Sequence, residues 1–187
     1  MIRRSDPKTL TAITALLILL VVGGCDKSRD QVDFERNAYQ IPDSFTETDA
    51  GGRVLRQDDR QWNIAPMFQG LVEIWNPAYP NPTSGGQTVT IELEIRGIDM
   101  VHGLYPFTLN MDKLERYPLY NAGDPDGITY YRNTLESGII FLDIDPYILA
   151  SIYGSYTAAQ SENEGIHRIF LYDRHGNMIT YGDIKLE

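Results

Sequence analysis

The chain has 187 residues, 42% of them apolar, which suits one domain with appendages and a core of its own. Three of the 16 Lys and Arg and one of the 26 acids fall in the first 24 residues, so the remainder carries 13 bases against 25 acids, a net charge of -12. A surface that acidic repels nucleic acid, so no nucleic-acid partner is expected, and a single cysteine rules out an intrachain disulfide.

Arg3, Arg4 and Lys8 precede an uncharged run of 13 residues, Leu10 to Val22. As a helix that run reaches roughly 20 Å, short of the ~30 Å hydrocarbon core, so it reads as a cleavable export signal and not as a membrane span. The run ends in Val22-Gly23-Gly24-Cys25. This resembles the lipobox of bacterial lipoproteins, an aliphatic residue and two small ones before cysteine. The resemblance implies a diacylglycerol thioether on Cys25, cleavage before it, and a membrane partner reached through the lipid anchor. The implied location is the cell envelope, on the inner or the outer membrane. An ordinary signal peptide or a signal anchor with Cys25 incidental, and twin-arginine export through Arg3-Arg4, stand as alternatives. Residues 1–24 are thus expected to be a signal peptide.

Residues 25–60 are polar and carry no clear period, with Pro42, Gly51 and Gly52 as breaks. Such a stretch is expected to be a flexible tether spanning on the order of 30–35 Å. From residue 61 to 187 the pattern is β. Leu71–Trp75 reads as a strand stopped by Pro77, and residues 79–86 are dense in turn formers. Thr88–Arg96 is the most diagnostic segment: Val89, Ile91, Leu93 and Ile95 alternate with Thr and Glu at strict period 2. Further strands are expected at Leu104–Met111, Gly138–Ile144 and Gly165–Tyr172. A hairpin is expected from Ile169–Tyr172 and Met178–Tyr181 around a turn in which Gly176 takes the left-handed conformation. One short helix, capped by Asp145 and ended by Gly154, is the other candidate element, with a strand as its alternative. Seven or eight short strands in about 125 residues imply an all-β, immunoglobulin-like antiparallel β-sandwich.

Trp75-Asn76-Pro77-Ala78-Tyr79-Pro80-Asn81-Pro82 followed by Thr88-Val89-Thr90-Ile91 resembles the opening of the C-terminal sorting domains of the type IX secretion system. Tyr172-Asp173 with Gly176 is similar to the hairpin of that family. The likeness covers about 35 of 187 residues. About 90 residues separate Pro82 from Tyr172, more than in the family, and the chain ends after the hairpin where the family continues. What the resemblance implies is a β-sandwich, not a sorting function.

Candidate chemistry is sparse. His102, His167 and His175 show no zinc spacing, and no nucleophile elbow or phosphate loop occurs. Asn121, Asp124 and Asp126, in a loop with two glycines, are candidate calcium ligands; the plain alternative is a solvated turn. Asp143 and Asp145 add a second acidic pair, the pattern a carboxylate-based glycosidase would use. Tyr130 and Tyr131, with Tyr117, Tyr120, Tyr153 and Tyr156, are candidates for a ligand-binding face or for ordinary strand packing. The resulting expectation is a non-catalytic envelope lipoprotein with no cofactor, acting in interaction with an envelope protein partner or as an accessory subunit of an envelope assembly. The alternatives are an extracellular glycan- or ligand-binding module and a calcium-dependent or carboxylate-based enzyme.

Overall fold

The computed structural model describes residues 27–84, 87–96, 104–111, 115–118, 138–144 and 164–187. One helix, α1 (Arg29–Asn37), precedes nine strands: β1 (Glu47–Thr48), β2 (Val54–Arg56), β3 (Val72–Tyr79), β4 (Val89–Ile95), β5 (Tyr105–Asn110), β6 (Glu115–Pro118), β7 (Gly138–Ile144), β8 (Gly165–Tyr172) and β9 (Met178–Leu186). β1 and β2 form a small hairpin. The others make two antiparallel sheets, ordered β3-β4-β7 and β6-β5-β8-β9. The chain crosses between sheets after β4, β6 and β7, which gives the all-β, antiparallel sandwich that the turn spacing implied.

β4 shows how the sequence builds this. Val89, Ile91, Leu93 and Ile95 are all 1% exposed or less, while Thr90, Glu92 and Glu94 lie on the other face. The buried row meets Ile140, Leu142 and Ile144 of β7 and, across the sandwich, Ile169, Leu171, Ile179 and Ile184. Each such side chain contributes about 1.5–3 kcal/mol by leaving water. β7 keeps unbroken register with β4, from Val89 opposite Ile144 to Ile95 opposite Gly138.

The strand expected to stop at Pro77 continues to Tyr79. β3 lies at a sheet edge, and its register with β4 shifts on both sides of Asn76. An edge strand tolerates proline because the lost N–H faces no neighbour there. Residues 79–82 then turn, with cis peptide bonds at Tyr79-Pro80 and Asn81-Pro82. Asn81 is fully buried; its Nδ2 donates to the carbonyls of Thr46 (2.7 Å) and Asp183 (2.8 Å), and its Oδ1 accepts from the N–H of Lys185. The Tyr-Pro-Asn-Pro turn thus fastens three chain segments together.

The largest departure concerns residues 27–60. The expected tether is folded onto the four-stranded sheet. Ser28 caps α1 by accepting from the N–H of Gln31, and Asp30 and Arg36 suit the two ends of the helix dipole. The face α1 buries contains one glutamine beside Phe34 and Ala38, so an apolar count misses it. Gln31 is fully buried with its amide in use: Nε2 donates to Glu35 Oε1 (2.9 Å) and the Met178 carbonyl (3.1 Å), and Oε1 accepts from the Met67 N–H. β1 and β2 join through a turn that Asp49 closes by accepting from the N–H groups of Gly51 and Arg53.

This covering segment leaves the four-stranded sheet buried on both faces. Ile169 and Leu171 point into the sandwich; Phe170 and Tyr172 point outward into a second apolar cluster with Ala38, Leu109, Met178, Tyr181 and Phe34. The edge of β9 is closed as well. The N–H groups of Trp62 and Ala65 donate to the carbonyls of Tyr181 (2.7 Å) and Ile179 (2.8 Å), and Thr83 pairs with the strand end through Lys185 and Glu187. The Trp62 indole lies so close over Gly182 that a Cβ there would sit 2.0 Å from a ring carbon.

Candidate interaction surfaces

Sequence candidates Cys25, Asn121, Asp124, Asp126, Tyr130 and Tyr131 lie outside the described residues, as do His102, Asp145 and the candidate helix. His167 is buried in β8, and His175 stands in the β8–β9 turn, where its N–H donates to Asp173 Oδ1. Among the described residues no cluster of three or more His, Cys, Asp or Glu has the arrangement of a metal site, and no helix is long and apolar enough to cross a membrane.

A groove of about 600 Å³ runs between α1 and residues 58–69, floored by Arg168 and Tyr181. Its charged groups are committed to one another. Arg168 grips Asp183 in a bidentate pair, Nε–Oδ1 and Nη2–Oδ2 both 2.7 Å, and its Nη1 donates to the carbonyls of Ala38 and Gln40. Gln61 Nε2 donates to Asp183 Oδ2 at 2.6 Å. Burial pushes the Asp183 carboxyl above the usual range despite Arg168. Burial also acts upward on Asp58, but hydrogen bonds from Arg60 and Ser44 outweigh it and hold that carboxyl at about 2. These pairs rivet the N-terminal segment to β8 and β9 and leave the groove floor few free donors, so the groove is a structural seam.

A second groove, about 490 Å³, lies between α1 and the β8–β9 turn and is lined by Tyr39, Tyr105, Phe107 and Tyr172 with Glu35 and Arg174. The Tyr39 and Tyr172 hydroxyls are 2.9 Å apart, Phe107 meets Tyr172 edge to face, and Tyr39 stacks on Phe170. Burial acts upward on Glu35, and bonds from Gln31 and Lys27 outweigh it to lower the carboxyl.

The third surface is the outer face of the three-stranded sheet. The register sets Glu92 opposite Phe141, Glu94 opposite Ile139 and Thr90 opposite Asp143. Trp75, Ile139 and Phe141 are 51%, 44% and 55% exposed. A carboxylate row lies between them: Glu94 accepts from Trp75 Nε1 (3.2 Å) and Arg96 Nη2 (2.7 Å), Glu92 from Asn76 Nδ2 (2.8 Å) and the Tyr79 hydroxyl, and Asp143 from Thr90 Oγ1 (2.7 Å). Arg96 also pairs with Glu73. The bond to Glu92, aided by burial, pushes the Tyr79 phenol up to about 12, and the Arg96 bond lowers Glu94. The result is a flat, pre-ordered acidic face with two aromatic rings and an isoleucine at its margins. Sequence reading passed it over, though β7 carries a signal: Ile139, Ile140, Phe141 and Leu142 are apolar at both parities beside a strictly alternating β4.

Compared with known protein families, curated proteins and solved structures, the chain matches none.

Proposed function

We propose that this chain is a lipid-anchored, non-catalytic protein of the bacterial cell envelope that docks a partner protein on the outer face of its three-stranded sheet. The anchor rests on Val22-Gly23-Gly24-Cys25. The observation that carries the docking reading is Trp75, Ile139 and Phe141 held exposed around ordered carboxylates. Aromatic side chains standing free on a rigid sheet are what protein interfaces use as anchors. The carboxylates between them set the partner's chemistry as basic. Purification from the native membrane after mild crosslinking, followed by mass spectrometry, tests this. A constant partner set at fixed ratio, lost from Phe141→Ser, is the expected result. A protein recovered alone, or a partner set unchanged by that substitution, overturns the docking reading.

The tyrosine groove favours a second reading, a glycan-binding module, because stacked rings beside polar groups suit sugar faces. Titration with soluble oligosaccharides, repeated on Tyr105→Ala, tests it. Calcium at Asn121, Asp124 and Asp126 remains a separate proposal, tested by calcium calorimetry on the wild type and on Asp124→Asn; heat lost in the variant supports it.

A further inference from the structure

The acyl attachment point and the first fixed turn of the fold are almost adjacent. Only Asp26 separates Cys25 from Lys27, whose Nζ lies 2.7 Å from Glu35 Oε1, and Ser28 already caps α1. A fully extended chain spans at most ~3.6 Å per residue, so the Cys25 backbone lies within about 11 Å of Ser28. That turn is not free to swing, because Gln31 is bonded at once to Met67 and to Met178. Around it the surface offers Arg29, 93% exposed at its side chain, the half-exposed Met67, and Arg174, exposed and without an ion-pair partner among the described residues. The acids on this side are partly engaged, with Asp33 paired to Arg29 and Arg36 and Glu35 to Lys27, while Asp30 stands exposed beside Arg29.

We infer that this end of the sandwich, formed by the start of α1, the turn at Met67 and the β8–β9 turn, is a membrane-apposed surface whose partner is the phospholipid headgroup layer. The inference rests on lipidation of Cys25. Two or more acyl chains hold a protein stably at the bilayer, and a leash this short then leaves the domain no room to stand away. Arg29 and Arg174 meet lipid phosphates, which the acidic remainder of the molecule avoids. Met67 reaches toward the acyl boundary. The three-stranded sheet lies on the far side of the sandwich from α1, so its outer face stays clear of α1 and its surroundings.

The test uses full-length lipidated protein in phosphatidylcholine vesicles carrying a small fraction of headgroup-nitroxide lipid, with an environment-sensitive fluorophore on Met67→Cys, Arg174→Cys or, as the distal control at the opposite end of the three-stranded sheet, Asp143→Cys. Mass spectrometry of the N-terminal peptide is read first. An unacylated Cys25 sinks the lipoprotein reading and takes this inference with it. With acylation verified, several-fold stronger quenching at positions 67 and 174 than at 143 is expected, lost when a Gly-Ser insert of about a dozen residues follows Asp26. Equal quenching at the three positions, none at 67 and 174, or quenching that survives the insert overturns the short-leash placement.

Discussion

The two sheets are built from similar strands yet meet different surroundings. The three-stranded sheet buries one face and leaves the other wet, and β4 records this as clean alternation. The four-stranded sheet is buried on both faces, so β8 reads as buried from His167 to Tyr172, with Arg168 tolerated only because Asp183 and two carbonyls saturate its guanidinium. What separates the sheets is the segment before residue 65, which covers the outer face of one and meets the other only at the end of β3, where Thr48 Oγ1 donates to the Ala78 carbonyl. The difference divides the surface: one sheet is sealed on both faces, while the other keeps an open face, the one proposed above to dock a partner.

Substitutions that open the sealed sheet are the strongest way to break that contrast. Trp62→Ala leaves a cavity over Gly182 and is expected to cost about 3–5 kcal/mol in urea unfolding. Gly182→Ala alone forces the indole away, and added to Trp62→Ala it is expected to cost far less than by itself; an additive double mutant refutes the contact. Gln31→Ala orphans the Met67 N–H and the Met178 carbonyl and is expected to cost about 1–3 kcal/mol, with faster amide exchange across α1 as the local readout. Asp58→Asn is expected to cost about 1–2 kcal/mol at pH 7. The folded carboxyl is held at about 2 against an ordinary value of 3.8, so the unfolded chain binds more protons between those values. The contribution is complete above pH 4 and disappears as pH falls through 2; a variant with the wild-type acid limb contradicts this. The smallest expected stability effect is Phe141→Ser on the open sheet, within about 0.5 kcal/mol by thermal unfolding, although partner capture is lost.

Legibility followed the same divide. β4, β7 and β8 stood in the sequence because apolar residues in a half-buried or fully buried strand leave a period or a run. β9 was read only to Tyr181, since Gly182 and Asp183 look like an ending; the glycine admits Trp62 and the aspartate neutralises Arg168. α1 and the β1–β2 hairpin escaped because their docking is polar, through Gln31, Asn81, Gln61 and Asp58, and hydrogen-bond complementarity has no one-dimensional signature. The acidic face was half visible in Ile139 and Phe141, but only the register with β4 sets them beside Glu94 and Glu92.

The rivets between the chain's two ends also set an order in time. Gln31 waits for Met178, 147 residues later, Gln61 for Asp183, 122 later, and Asn63 for Thr180, 117 later. Until β9 has been synthesised, these three bonds cannot close. Contacts this remote in sequence make folding slow and place it late. A chain of that kind stays open until its last strand is made, and the export proposed above would thread it in that open state.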